Sequence, residues 1–168
     1  SVFEQTYDHF EVILLDDCST DNSSMILQEY ASHPKTSRIV INEKNSGSPF
    51  AQWEKGISLA KGDYIWIAES DDFAETSFLE RLMALFFEKE NVGLVYSRSD
   101  NVDENGRFYD IFWPDSLDEK RWHSSHYNEG KDEIRNFLKF RNTIPNASAC
   151  IFRKQDFLNY YKEFHNYL

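Results

Sequence analysis

The sequence predicts a single α/β domain, residues 1–168, in which strands and helices alternate along the chain. Two observations lead to this prediction. Four short apolar runs alternate with amphipathic segments, and 40% of the 168 residues are hydrophobic and 16% aromatic. A domain of this size buries roughly 70% of its unfolded surface. Regular alternation favours right-handed crossovers and a largely parallel central sheet with helices on both faces.

The first two strands enclose a predicted helix. Residues 12–15 are a continuous apolar run, as expected for a strand buried on both faces of a parallel sheet. Residues typical of helix N-caps follow, and they predict a helix over residues 22–31 with Met25, Ile26 and Tyr30 on its buried side. Residues 38–42 form the second predicted strand.

Clear start and stop signals mark the next helix. Ser48 is an N-cap residue type, Pro49 suits the first helical position, and Gly62 is a typical stop. Residues 64–68 form the third strand. A capping-box pattern at residues 77–80 then opens a helix that runs to about residue 90, and residues 92–96 form the fourth strand.

The pattern changes in the second half of the chain. Residues 103–106, Asp-Glu-Asn-Gly, predict the turn of a β-hairpin. The polar stretch 114–130 is longer than a connection needs, which is typical of functional loops. A helix over residues 132–141, a strand over 147–152 and a helix from residue 155 complete the predicted order.

The charge of the chain argues against nucleic acid as a partner. Acidic residues outnumber basic ones by 29 to 18, and the formal net charge is -11. Binding a nucleic-acid backbone requires clustered Lys and Arg. A small anionic ligand remains compatible with this charge, because a divalent cation can bridge carboxylates and phosphate. No apolar run approaches the ~20 residues of a membrane-spanning helix, and the chain alone is expected to be soluble.

Carboxylates follow two of the predicted strands. Asp16 and Asp17 end the first strand, and Glu69, Asp71 and Asp72 follow the third. Ligands of open α/β sheets bind at this edge, and adjacent carboxylates repel one another unless a cation is supplied. Mg²⁺ or Mn²⁺, completed by substrate phosphates, meets that need. Each aspartate alone could instead cap the following helix, but capping needs one side chain and both strand ends carry a pair.

Several segments resemble family 2 glycosyltransferases, whose fold is called GT-A. Residues 10–23 are similar to the first nucleotide-binding segment of that family. Residues 45–47, 56–57 and 60–65 resemble its middle segment, and residues 69–72, Glu-Ser-Asp-Asp, stand where the family carries its DxD-type metal motif. Residues 142–148 also resemble a family segment, so the similarity covers most of the chain.

The resemblance implies a role for each matched position. Asp17 would hydrogen-bond the nucleobase, with Asp16 supporting its loop. Glu69, Asp71 and Asp72 would hold the Mn²⁺ or Mg²⁺ ion and the ribose of a nucleoside diphosphate sugar. The implied nucleotide-sugar-binding residues are Asp16, Asp17, Ser19, Asn45, Gly47, Glu69 and Asp71, and the implied metal ligands are Asp71 and Asp72.

The implied activity is metal-dependent transfer of a sugar, a hexosyl group, to an acceptor hydroxyl, with inversion, in polysaccharide or glycan biosynthesis. The acceptor would be a glycan or a lipid-linked molecule. The implied location is the cytoplasm, including the inner face of the membrane if segments outside this chain attach it there. Residues 1–112 would form the nucleotide-sugar-binding half, and residues 113–168 would begin the acceptor side.

Three features depart from the family pattern. No family-type first strand precedes residue 12, Gln52-Trp53 stands where the family often has Arg-Asn, and no residue matches the general base of inverting members. We therefore expect a fragment of a catalytic domain, with Trp53 packing in the core. Two alternatives remain open: a nucleotide-sugar-binding module without catalysis, and a receiver-like regulatory α/β domain.

Overall fold

The computed structural model describes residues 1–111, 118 and 120–164. The chain divides into two compact units, one of Ser1–Val95 with Ile151–Leu168 and one of Tyr96–Cys150. The predicted halves, 1–112 and 113–168, concern binding roles that compactness does not test, and they stay a prediction. Part of the predicted polar loop, at 114–117 and 119, lies outside the described residues.

The described elements follow the predicted order. They are β1 (Val12–Asp16), α1 (Ser23–Glu29), β2 (Thr36–Ile41), α2 (Pro49–Leu59), β3 (Tyr64–Trp66), α3 (Phe78–Glu88), β4 (Leu94–Tyr96), β5 (Asp100–Val102), β6 (Phe108–Ile111), α4 (Gly130–Glu133), β7 (Cys150–Arg153) and α5 (Lys154–Phe164). A π-helical segment, Ile134–Leu138, continues α4. The ends differ from prediction by a few residues, as helix and strand ends commonly do.

The described strands form three sheets, β1-β2, β3-β7-β4 and β5-β6, and the pairing is parallel only in part. β1 and β2 pair in parallel, with Val12 opposite Thr36 and Asp16 opposite Ile41. The later strand β7 lies between β3 and β4 and runs antiparallel to β3. The prediction of a largely parallel sheet is thus confirmed for β1 and β2 and corrected for β7. An apolar run predicts burial, and buried strands of both directions share that pattern.

The predicted hairpin is confirmed as the antiparallel pair of β5 and β6. Gly106 has a φ of 74°, in the left-handed region that glycine adopts without steric cost. The Asp103 carboxylate accepts the N–H groups of Asn105 and Arg107 at 2.9 and 2.8 Å, which closes the turn. Asp103 is therefore a turn residue of the second unit.

The main core of the first unit forms between α3 and the strands beside it. Its buried members are Leu79, Leu82, Met83, Phe86, Val92, Val95 and Ile151. The expected core face of α1 is wrong: Met25, Ile26 and Tyr30 are 63%, 51% and 40% exposed.

Within the described ranges, no helix is long and apolar enough to cross a membrane.

Candidate functional site

Asp16 closes the turn that follows β1. Its side chain is buried, with 5% of the residue exposed. One carboxylate oxygen accepts the backbone N–H of Ser19 at 3.0 Å, while Ser19 itself is exposed. This contact supports the loop, and it is also the contact that a purely structural turn would make, so the binding role implied for Asp16 stays a prediction. Whether Ser19 binds a ligand stays a prediction.

Asp17 joins the loops that follow β1 and β2. Its carboxylate accepts hydrogen bonds from Asn42 Nδ2 at 2.6 Å and from Gln52 Nε2 at 2.7 Å. Ser46 donates its N–H to both carboxylate oxygens at 3.0 Å and its hydroxyl to one of them at 2.6 Å. The Asp17 carbonyl accepts from Asn45 Nδ2 at 2.9 Å. A carboxylate offers about four acceptor positions, so Asp17 is well supplied with donors.

These donors also favour the ionised form of Asp17. The hydroxyl of Ser46 is the largest cause of a lowered pKa, and the Ser46 N–H, the Asn42 amide and the Lys55 ammonium lower the pKa further. Lys55 reaches this group through Asn42, since its ammonium donates to Asn42 Oδ1. Asp17 is therefore ionised at neutral pH, beside one cationic side chain.

The loop after β2 is shaped to present Ser46. Asn45 Oδ1 accepts the N–H of Gly47 at 2.7 Å. Gly47 has a φ of 74°, a backbone conformation that strains residues with a Cβ. The predicted residues Asn45 and Gly47 thus form the turn that places Ser46 against Asp17.

The second acidic loop follows β3. Glu69 is half-buried, and its Oε1 accepts the indole N–H of Trp53 at 2.7 Å. Asp71 and Asp72 are exposed, and the N–H of Asp72 donates to the Glu69 carbonyl at 3.3 Å. Within the described ranges, no group of three or more His, Cys, Asp or Glu side chains is arranged to hold a metal ion. The metal ligands stay a prediction.

Helix α2 contacts both acidic loops through adjacent residues. Gln52 donates to Asp17, and Trp53 donates to Glu69. Trp53 also packs edge-on against Phe50, with ring centroids 5.0 Å apart. The residues that sequence reasoning missed are Asn42, Ser46, Gln52, Trp53 and Lys55. The sequence does carry a signal for two of them, Gln52 and Trp53, because they stand where the family often has Arg-Asn.

A separate cavity of about 400 Å³ lies at the other end of β3. Its lining includes Lys61, Asp63, Arg153 and Lys154, and none of the predicted site residues. Two of the cations bind backbone carbonyls. Lys154 Nζ donates at 2.5 Å to the carbonyl of Ala60, the C-cap of α2, where a cation stabilises the helix end. Arg153 Nε donates at 2.7 Å to the carbonyl of Val92, in the segment between α3 and β4, so both side chains have a structural role.

Known sequences and structures are similar to this chain. The sequence model of Glycosyl transferase family 2 matches residues 1–161. Glycosyltransferase GlyG of Streptococcus pneumoniae is 38% identical over 109 residues, which are 64% of this chain and 36% of GlyG. The putative teichuronic acid biosynthesis glycosyltransferase TuaG of Bacillus subtilis is 36% identical over 89 residues, 53% of this chain and 35% of TuaG. The matched part of this chain spans little more than a third of either relative.

The fold also resembles that of a solved structure. Residues 1–349 of TarS from S. aureus superpose with a TM-score of 0.67 at 21% identity, covering 94% of this chain and 42% of that one. The crystal structure of the same TarS segment in complex with UDP gives a TM-score of 0.64 at 18% identity, with the same coverage. At such identities, the likeness concerns the fold alone.

Proposed function

This chain belongs to glycosyl transferase family 2, and we propose that it carries the nucleotide-sugar-binding part of a metal-dependent glycosyltransferase. Its fold is α/β of the GT-A type, as the resemblance implied. The proposed reaction moves a hexosyl group from a nucleoside diphosphate sugar to a hydroxyl of a glycan or lipid-linked acceptor, in polysaccharide biosynthesis. The observation that carries the proposal is the connection of both acidic loops to one helix, α2.

Comparisons support the donor class. TuaG is named for teichuronic acid biosynthesis, and TarS was crystallised with UDP. A uridine nucleotide is therefore the first donor to test. The family match over residues 1–161 favours this class over the receiver-like alternative.

We assign the nucleobase to the loops after β1 and β2, beside Asp17. Since Ser46, Asn42 and Gln52 already donate to the Asp17 carboxylate, an N–H group of a base reaches Asp17 only by replacing one of them. Ser46 is the donor to replace, because it lies on an exposed loop. The hydrogen bonds from Ser19 to Asp16 and from Gly47 to Asn45 hold the backbone of the two loops in place while the base replaces Ser46.

We assign the diphosphate to the loop after β3. Carboxylate oxygens are the ligands that Mn²⁺ and Mg²⁺ prefer, and Mg²⁺ in particular is commonly held by one or two carboxylates together with substrate phosphates. Asp71 and Asp72 fit this requirement, since no hydrogen bond or ion pair among the described residues engages either side chain. Glu69 stands beside them, held by Trp53. A metal ion bound there would act as a Lewis acid that stabilises the departing diphosphate.

The reaction places further demands on the protein. The bond between the anomeric carbon and the diphosphate oxygen breaks while the acceptor oxygen attacks, and inversion follows when attack comes from the opposite face. The acceptor proton goes to a general base, which we do not assign among the described residues.

We also propose a cytoplasmic location, which includes peripheral attachment to the inner membrane face.

A thermal-shift panel tests donor binding. The chain is heated with uridine, guanosine and adenosine diphosphates and with their sugar conjugates, each with Mn²⁺ and with a chelator. A ligand at 100 times its Kd stabilises the native state by about 2.7 kcal/mol. We expect the largest shift for a uridine ligand with Mn²⁺. Equal transition temperatures in all mixtures would contradict the proposal, and binding without sugar transfer by a longer chain would favour the non-catalytic alternative.

A further inference from the structure

Two adjacent residues of α2 reach the two acidic loops. Gln52 Nε2 lies 2.7 Å from Asp17 Oδ1, and Trp53 Nε1 lies 2.7 Å from Glu69 Oε1. Adjacent helical residues point about 100° apart around the axis, so one turn of helix can address two separate loops. Both bonds join a neutral donor to a carboxylate, and such charge-assisted bonds are stronger than neutral ones.

The orientation of Gln52 has a cost. Its Nε2 faces the Asp17 carboxylate, and its Oε1 is buried without a hydrogen-bond partner among the described residues. A buried acceptor without a donor destabilises a protein. Rotating the amide would instead point its oxygen at a carboxylate. A side chain selected for stability alone would avoid both arrangements, so the contact with Asp17 indicates a functional constraint.

Trp53 restrains Glu69 from a supported position. Its ring packs against Phe50 in the same helix, and its indole N–H is directed at Glu69. The side chain is half-buried. Packing on one side and a hydrogen bond on the other leave the indole little freedom, which in turn limits the rotamers of Glu69.

We propose that Gln52 and Trp53 are positioning residues that hold Asp17 and Glu69 at a set separation, so that one nucleoside diphosphate engages both loops. This inference rests on the proposed function. In this role α2 need not contact the nucleotide sugar directly. Gln52 acts through the carboxylate of Asp17, on the nucleobase side, and Trp53 acts through the carboxylate of Glu69, on the diphosphate side. Removing either contact should weaken nucleotide binding while the fold remains.

The test compares Gln52→Met, Trp53→Phe and the double variant by calorimetric titration with UDP. Gln52→Met keeps the length of the side chain, and Trp53→Phe keeps an aromatic ring. Matched controls are Gln155→Met, which loses an amide bond to Asn159 in α5, and Trp122→Phe, which loses an indole bond to Tyr96 in the other unit. Thermal unfolding of every variant is measured in parallel.

We expect each single variant to bind UDP with Mn²⁺ roughly tenfold more weakly, since one charge-assisted hydrogen bond is lost in each. Gln52→Met should unfold near the wild-type temperature, because removing the unpartnered oxygen offsets the lost bond to Asp17. Trp53→Phe should raise the Mn²⁺ concentration that half-saturates UDP binding. The fold loss of UDP affinity in the double variant should be smaller than the product of the two single-variant losses. Both contacts are needed to set the separation of Asp17 and Glu69, so losing one already releases it.

Two results would overturn the inference. The first is UDP affinity in the single variants equal to that of wild type and controls. The second is a lower unfolding temperature of Gln52→Met with an unchanged Mn²⁺ dependence of Trp53→Phe, which is the behaviour of purely structural contacts. A wild-type chain that binds no UDP with Mn²⁺ would contradict the proposed function itself, and the positioning role with it.

Discussion

Gly56 in α2 and Leu15 in β1 pack so closely that a Cβ atom at position 56 would stand 3.0 Å from Leu15 Cδ1. This distance is shorter than side chains normally tolerate. The contact lies one residue before Asp16 on the strand and one turn after Gln52 and Trp53 on the helix. It therefore sets how closely α2 approaches the strand that carries the first acidic pair.

Gly56→Ala tests this close approach. Alanine favours a helix over glycine by about 1 kcal/mol, but overpacking costs roughly 1–3 kcal/mol. We expect the closer contact to dominate and the unfolding temperature to fall by about 2–4 °C. Gly130→Ala is the matched control, because nothing lies within 4 Å of a Cβ there. A higher unfolding temperature for Gly56→Ala would show that α2 can move away from β1.

The pKa of Asp17 predicts a pH dependence of stability. The Ser46 hydroxyl, followed by other donors, lowers the folded-state pKa of Asp17 below its value of about 3.9 in unfolded chains. A lowered pKa contributes stability above the unfolded value, and that contribution is lost as the pH falls through the folded value. Asp17→Asn should thus lower the unfolding temperature at pH 7, and the difference from wild type should shrink below about pH 4.

Ser46→Ala provides the matched variant for this titration. It removes the hydroxyl that contributes most to the lowered pKa of Asp17. With a folded-state pKa closer to the unfolded value, Ser46→Ala should lose less stability on acidification than the wild-type chain, and its loss should level off at a higher pH. A difference between wild type and Asp17→Asn that stays constant from pH 7 to pH 3 would contradict this account of Asp17.

The two cysteines should differ in reactivity. Burial raises the pKa of the Cys150 thiol to about 11, whereas Cys18 is half-exposed. The thiolate is the reactive form, so at pH 8 a disulfide reagent should label Cys18 quickly and Cys150 only after unfolding. Cys18→Ser should abolish the fast phase. Two equal fast phases in the native wild-type chain would show that Cys150 is more accessible than its burial indicates.

Local signals made much of the fold predictable. Apolar runs located the strands, and Ser48-Pro49 located the start of α2 at Pro49. The direction of β7 was not predictable, because a buried run looks alike in parallel and antiparallel sheets. The exposed face of α1 was not predictable either, since Met25 and Ile26 have the spacing of a buried face without being covered by other elements.

The candidate site was predictable in part. The acidic pairs and the Asn45–Gly47 turn follow from residue type and position. The donors to these carboxylates come from distant residues: Gln52 and Asp17 are 35 positions apart, and Trp53 and Glu69 are 16 apart. Pairs of this kind leave no periodic signal in a single sequence. Only the packing of α2 brings them together.

Calorimetric titration of UDP into the wild-type chain and Asp71→Ala, each with Mn²⁺ and with a chelator, tests the central claim most directly. The claim is that the loop after β3 binds a divalent ion that holds the donor diphosphate. Asp71 is exposed, so Asp71→Ala should fold as wild type does. Glu104→Ala, at an exposed position in the hairpin turn, is the control. We predict that Mn²⁺ strengthens UDP binding at least tenfold in wild type and Glu104→Ala and not at all in Asp71→Ala. An equal gain from Mn²⁺ in all three chains would contradict the claim.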